Sequence, residues 1–448
     1  MRGNIPIKGA VSRGAGGGRA ALLWDESFLW GLVARRALGE AGLDFTLINS
    51  GDVRQGALAD YGLLYVPGGW ASNKLKALGE EGAQGIKRFV EGGGSYVGVC
   101  GGAGLATSEG LRLLNIRRRP LDQRVPSLSG RIMAGISPHP VWKRINNKKR
   151  GGARPEFHIW WPSQMEPDKN DPSIKILASF EGETEDTFSS DFNVADTPEL
   201  DKLEQLYRLN LDPGRMRGSP LVMEGVYGSG RVFITLIHFD TPGDFNGRRA
   251  LKNLWEYMGC GGCGGYSKGR NEKTAGHNKK KADWSADWSA GWPAWSANEL
   301  VAPVEGLYRF GLRNFLWFPR GWVVQWRRGV RGLEYFTLRE MIRELAACAE
   351  DIPPEEITAL AGELRRFTEK AKTLLMLERL ALQEGRTLTF SNASSLTFSN
   401  VSSGEMAALR AELFSDSKSH GGAFKALLDK VDALLYRHLK EGDSKGGI

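Results

Sequence analysis

Cysteine is scarce in this chain, with four in 448 residues. That is too few for a disulfide framework, and it points to a reducing, cytoplasmic setting. Long apolar runs are missing too. No stretch reaches the about 18 consecutive apolar residues that a spanning helix needs, so no transmembrane segment is expected. The opening MRGNIPIKGAVSRGAGGG is basic but has no apolar core, which argues against a secretory signal. Its glycine run, residues 14–18, precedes a strand pattern instead of following one, so it reads as a flexible lead-in and not as a phosphate loop. A single Cys260-Gly-Gly-Cys263 pair, even with His277 downstream, lacks the second pair that a zinc site would show. No metal and no cofactor is therefore expected. The net charge of +8 is partly held in short runs such as 148–150 and 279–281. Such runs are usually solvated loops, so no nucleic-acid partner is expected.

What is present is an ordinary globular composition, 41% hydrophobic and 25% charged, in a length that suits two or three domains. Residues 20–24, 45–48, 63–66 and 95–99 are short apolar runs that read as buried strands. Helical patterns lie between them. Phe28, Leu29, Leu32 and Val33 point inward from the first, and Leu75, Leu78, Ile86, Phe89 and Val90 from a later one. Strands alternating with helices predict an α/β fold with a flavodoxin-like parallel sheet and helices on both faces. Strand patterns at 156–161 and 174–180 suggest an antiparallel extension. A short helix is expected at 203–209, and the runs 221–227 and 231–237 around Gly228-Ser229-Gly230 predict a hairpin, followed by a helix at 250–258.

The strand at 95–99 runs straight into Cys100, framed as Gly98-Val99-Cys100-Gly101-Gly102. Small residues two before and two after a nucleophile are what a cramped strand-to-helix elbow requires. The duller reading is a small buried thiol. A cysteine nucleophile needs a base and a group that orients it. Of the six histidines, His238 ends a predicted strand and has Asp240 two residues on, the spacing at which extended residues share a side. His139 and His158 read as loop and strand residues, and His277, His420 and His438 fall in linker or surface helix. Oxyanion donors would come from the backbone of Gly101 and of Gly68 or Gly69, the turn after the strand at 63–66.

These motifs, VPGG, GGSYVGVCGGAGLA and GRVFITLIHFDTPGD, resemble class I glutamine amidotransferase-like domains. They are most similar to the branch found as the N-terminal domain of biotin-protein ligases. GISPHPVW, the PEF segment, ILASFEG and the Gly-Ser-Gly hairpin follow in the same order, and the likeness covers residues 19–258. It implies Cys100 as nucleophile, His238 as base and Asp240 as orienting acid, with Pro67, Gly68 and Gly69 as the oxyanion loop. The chain departs from glutamine-hydrolysing members at Phe239-Asp240, where those usually carry Pro-Glu.

The expected organisation is a lead-in at 1–18, the amidotransferase-like domain at 19–258, a tryptophan-rich linker at 259–300 and a mainly helical domain at 301–448. Residues 307–336 are rich in aromatics and arginines, read as a small strand layer with its arginines outward; a membrane or nucleic-acid surface is the sharper alternative. Helices are expected at 338–349, 354–383, 405–414 and 424–439, and LTFSN repeats at 388–392 and 396–400. The function expected is a cysteine-dependent amidohydrolase or amidotransferase acting on a small-molecule amide, with a protein partner possible through the helical part. The alternative is a non-catalytic binding or interaction protein that keeps the scaffold.

Overall fold

The apolar runs pair as the alternation demands. A computed structural model describes residues 18–145, 154–260, 295–385, 404–415 and 420–445. Its first half supplies strands β1 (Ala20–Leu23), β2 (Thr46–Ile48), β3 (Leu63–Val66) and β4 (Ser95–Val99), then β5 (Ile116–Arg118), β6 (Leu128–Ile136) and β7 (Glu156–Trp160). These are followed by β8 (Met165–Pro167), β9 (Lys175–Glu183), β10 (Phe188–Ser189), β11 (Phe192–Asn193), β12 (Pro220–Tyr227) and β13 (Gly230–Thr235). The helices among them are α1 (Leu29–Glu40), α2 (Ser50–Arg54), α3 (Ala71–Glu91), α4 (Gly101–Leu105), α5 (Leu200–Tyr207) and α6 (Phe245–Tyr257).

One eleven-stranded sheet runs β11-β10-β6-β9-β12-β13-β4-β3-β1-β2, with β7 paired to β6. From β2 to β13 neighbouring strands are parallel, and beyond β13 the sheet continues antiparallel through β12, β9 and β6. The result is a mixed α/β sheet with helices on both faces. Strands β1 and β3 are buried at every position, as strands covered on both faces must be. The inward residues expected on α1 are buried, and Leu78, Ile86 and Val90 of α3 are fully so.

Further on come α7 (Trp295–Arg313), the hairpin β14 (Trp317–Arg320) and β15 (Val323–Trp326), α8 (Gly332–Ala346), α9 (Pro354–Gln383), α10 (Gly404–Phe414) and α11 (Gly422–Lys445). The expected strand layer at 307–336 is thus only a two-stranded hairpin between helices. Leu300, Val304 and Leu307 recur at helical spacing and are buried, and α7 packs on α8 and α9. Nor do all its arginines face outward: Arg320 and Arg331 are each only 8% exposed. The stripe that a membrane or nucleic acid would need is largely core, with Trp317, Trp322, Val323, Val324, Tyr335 and Phe336 buried. No described helix is long and apolar enough to cross a membrane. The LTFSN repeats and Cys263 lie outside the described residues.

The helical part packs onto the sheet part, and the buried residues of both form one continuous cluster. Lys440 Nζ lies 2.8 Å from Asp52 Oδ2, Lys425 Nζ lies 3.0 Å from Glu26 Oε1, and Arg36 pairs with Glu344. His420, expected on a surface helix, is half-buried against Phe28 and Phe424, with ring centroids 5.2 Å away in both cases. Burial holds it neutral, lowering it to about 4.

Candidate functional site

β4 ends in a strained corner. Cys100 has φ 49° and ψ −99°, a conformation non-glycine residues rarely adopt. The surrounding glycines are required by contact. A Cβ on Gly101 would lie 1.9 Å from the Gly69 carbonyl oxygen, and one on Gly102 would lie 2.0 Å from that of Val66. A Cβ on Gly98 would reach the Gly102 oxygen at 2.5 Å. Three hydrogen bonds hold the corner: the Cys100 N–H donates to Thr235 O (2.8 Å), the Gly102 N–H to Pro67 O (3.1 Å), and the Tyr96 hydroxyl to Gly102 O (2.7 Å). The elbow is thereby tied to the end of β13 and to the turn after β3.

That turn carries Pro67, Gly68 and Gly69. Gly69 has φ 109°, and a Cβ there would meet the Glu26 carbonyl oxygen at 2.4 Å. Gly68 lies under the Trp30 indole, with a would-be Cβ 2.9 Å from Cγ. Gly68, Gly69 and Gly101 therefore converge where β3, β4 and α1 meet. Behind Gly69 is a group the sequence reading missed, the fully buried Lys74. Its Nζ donates to Ser27 Oγ and to Asp25 O (3.1 Å), and burial lowers it to about 7 against the pull of Asp25, Glu26 and Asp432.

His238 lies three residues past the last paired residue of β13, so the strand is shorter than expected. The Thr241 N–H donates to His238 O (3.1 Å), so residues 238–241 form a turn and not an extended run. The turn works because Phe239 is drawn into the core beside Trp142, Phe157 and Phe233. His238 and Asp240 are left to face each other, with Nδ1 3.1 Å from Oδ1 and both side chains fully buried. The shorter acid thus reaches the ring. Strand β7 clamps the turn from outside: His238 N–H donates to His158 O (2.9 Å) and Trp160 Nε1 to Thr241 Oγ1 (2.9 Å).

Burial opposes charging of the His238 ring, but the Asp240 carboxylate and then the Cys100 sulfur outweigh it and raise the imidazole from 6.5 to about 9. The ring is therefore cationic at neutral pH. Its Nε2 makes no hydrogen bond; the Cys100 sulfur is a neighbour whose charge helps to raise the ring. The Cys100 Sγ also lies 3.9 Å from Trp160 O. The other described cysteines are poor candidates, since burial pushes the Cys260 thiol up to about 11 and that of Cys348 up as well.

His158 and His139 are engaged elsewhere, and His277 lies outside the described residues. His158 Nδ1 is 2.7 Å from Asp244 Oδ2, and Asp244 also caps α6 by accepting from Gly247 N–H. His139 Nδ1 accepts from Val141 N–H (3.2 Å). Among the described residues no group of three or more His, Cys, Asp or Glu is placed to hold a metal ion.

Indoles that sequence reasoning did not single out wall the site. The Trp30 ring lies 4.5 Å from the His238 ring and contacts Trp161 (6.3 Å) and Trp322 (5.9 Å). Trp322 meets Trp160 at 5.4 Å. Other strained residues cluster here: Glu26, Phe28 and Trp161 have φ of 55°, 47° and 50°. The signal available in the sequence was the tryptophan content itself, but nothing there pairs Trp30 with a residue 292 positions later.

No family model matches this chain, and no curated protein does. Solved structures do. PurLQS of Thermotoga maritima is 15% identical with a TM-score of 0.37, over 54% of this chain and 99% of that one. A glutamine amidotransferase is 14% identical with a TM-score of 0.34, over 54% and 99%. A β-galactosidase of Bacillus circulans sp. alkalophilus is 14% identical with a TM-score of 0.32, over 55% and 31%. Such values describe a likeness of fold alone.

Proposed function

We propose that this chain is a cysteine-dependent amidohydrolase or amidotransferase-like protein that works through a thioester, in the amidotransferase-like branch typified by the N-terminal domain of biotin-protein ligases. The observation that carries the reading is the combination at one corner of a strained Cys100 and a fully buried His238 whose Nδ1 lies 3.1 Å from Asp240 Oδ1, with that carboxylate and the Cys100 sulfur both favouring the ring's proton.

In this reading the imidazolium supplies the positive charge that a thiolate nucleophile needs beside it. The sulfur attacks the amide carbon, and the carbonyl oxygen takes up negative charge toward the backbone N–H groups of Gly101 and of Gly68 or Gly69. His238 passes its Nε2 proton to the departing amine, leaving an acyl–sulfur bond. The neutral ring then takes a proton from water as the water attacks that thioester, and the carbon–sulfur bond breaks to release the carboxylic acid and return the Cys100 thiolate beside the imidazolium. Asp240 fixes the tautomer and steadies the charged ring throughout. No metal or cofactor enters these steps. The lead-in at 1–18, the catalytic domain at 19–258, the linker at 259–300 and the helical part at 301–448 remain our division of a cytoplasmic protein, the last part offering the surface for a protein partner.

Ammonia release from a panel of primary amides, glutamine included, tests the reading. Activity in the wild type that Cys100→Ala abolishes with the fold intact is the expected result. Activity that survives Cys100→Ala sinks it. The second reading, a scaffold that keeps the elbow without the chemistry, is favoured by one observation: His238 and Asp240 are fully buried, with the Trp30 indole lying on the His238 ring. It predicts no turnover even in a variant whose cover is opened.

A further inference from the structure

The hairpin β14–β15 is seated on the sheet part by a built receptor. The Arg320 guanidinium, 8% exposed, donates to Ser129 Oγ (3.0 Å), Ser129 O (3.1 Å), Asp186 O (2.7 Å) and Gln325 Oε1 (2.8 Å). It lies 4.1 Å from the Phe188 ring centroid and 5.5 Å from that of Trp160. Gly130 of β6 makes room for it, since a Cβ there would come within 2.0 Å of Arg320 Nη2. Gln325 Nε2 donates to Ser190 O (2.6 Å), and Arg328 pairs with Asp191. Anchored at this end, the turn at Gly321 (φ 57°) projects Trp322 between Trp30 and Trp160. Those two residues are the ones that touch the catalytic groups: Trp30 lies on His238 and Gly68, and the Trp160 carbonyl faces the Cys100 sulfur. The C-terminal part thus delivers one indole to the approach of its own nucleophile.

We propose that Trp322 is an intramolecular occupant of the substrate approach to Cys100, and that the slot it fills takes a planar aromatic acyl group when the hairpin withdraws. The covering half stands on the packing alone; the acyl half rests on the hydrolytic reading above. A slot that holds an indole edge-on against two others, at 76° and 90°, is shaped for a flat apolar ring. Free glutamine would bring an ammonium and a carboxylate into it. Arg320, the guanidinium beside Trp160, is already committed to Ser129, Asp186 and Gln325, so it has no donor to spare for that carboxylate, and burying both charges among indoles is costly. A phenylacetyl- or indolyl-type amide carries no such penalty.

The experiment is iodoacetamide labelling of Cys100 in the full chain, read by peptide mass spectrometry, in wild type, Trp322→Phe and Trp322→Ala. The expected order is wild type slowest, the Phe variant intermediate and the Ala variant faster than wild type by about threefold or more, because the half-buried thiol is then reached without local displacement of the indole. Adding phenylacetamide then slows labelling of the Ala variant, and glutamine at the same concentration does not. Equal rates in all three chains overturn the covering role, and protection by glutamine equal to that by phenylacetamide overturns the ligand class. If the Ala variant fails to fold, the Phe variant against wild type decides alone. Labelling needs no catalysis, so the two readings fail separately. An uncovered Cys100 that hydrolyses no amide removes the enzyme and leaves the cover. Wild-type turnover that the Trp322 variants leave unchanged, with labelling rates unchanged too, removes only the cover.

Discussion

Replacing Asp240 with Asn removes the larger of the two influences that hold the His238 ring protonated and leaves the Cys100 sulfur alone against burial. The rise of His238 from 6.5 to about 9 corresponds to about 3 kcal/mol, at about 1.4 kcal/mol per tenfold change in proton affinity. The sign follows from linkage. The folded chain holds this proton more tightly than the unfolded one, so the stabilisation is complete below pH 6.5 and is lost as the pH rises through 9. Asp240→Asn should therefore cost about 3 kcal/mol at pH 6 and little or nothing near pH 10. It also removes a buried carboxylate that has only a neutral ring beside it at high pH, so the variant matches or exceeds the wild type there. Urea unfolding of both chains from pH 6 to 10 measures the difference curve. A constant penalty across that range would refute the reasoning, since it would mean that Asp240 contributes packing or a neutral hydrogen bond and no charge coupling.

Three further outcomes follow from the same geometry. Gly101→Ala places a Cβ 1.9 Å from the Gly69 oxygen, so it should lower stability by about 3 kcal/mol or more in thermal unfolding, whereas Gly104→Ala, 3.2 Å from the Ala71 Cβ, should cost less than about 1.5 kcal/mol. Cys100→Gly relieves the positive φ of 49° and should raise stability by about 1 kcal/mol while removing the nucleophile, the glycine's extra chain entropy offsetting part of the strain. Lys74→Met tests a pH dependence of opposite sign to that of His238: the folded chain favours the neutral amine, so wild type gains stability relative to the variant as pH rises from about 7 to 10.5. A wild-type-minus-variant difference independent of pH would refute the placement of a buried lysine, its amine held toward the neutral form, behind Gly69.

Much of this was legible in the sequence because it is local. The glycines around Cys100 are read from five adjacent residues, and the contacts that forbid a side chain there are made by the neighbouring turn. Strand and helix periods placed β1 to β4 and the β12–β13 hairpin because burial on both faces leaves continuous apolar runs. The pairing of His238 with Asp240 was readable from spacing, but its cause was not. Extended alternation was expected, whereas a turn brings the two together after Phe239 enters an aromatic core assembled from residues 142, 157 and 233.

The rest is tertiary. Pro303 and the aromatics of α7 have weak helix propensity, and packing against α8 and α9 overrides it. Arginine is normally solvated, so a buried Arg320 is visible only once Ser129, Asp186 and Gly130 surround it. Lys74 sits on a helix whose exposed face is otherwise rich in charge, and nothing local marks it as the one turned inward. The indoles over the site come from α1, the end of β7 and β15's hairpin partner turn, joined only by the fold.

The account depends most on Cys100 being a nucleophile that His238 activates. Acyl transfer from 4-nitrophenyl acetate, followed by intact mass and peptide mapping in wild type and Trp322→Ala chains, tests this directly. A single acetyl group on Cys100, formed at least about tenfold more slowly in His238→Ala, is the result the account predicts. Acetyl groups spread over Cys260, Cys348 and surface lysines, with Cys100 no faster than these and indifferent to His238, would contradict it.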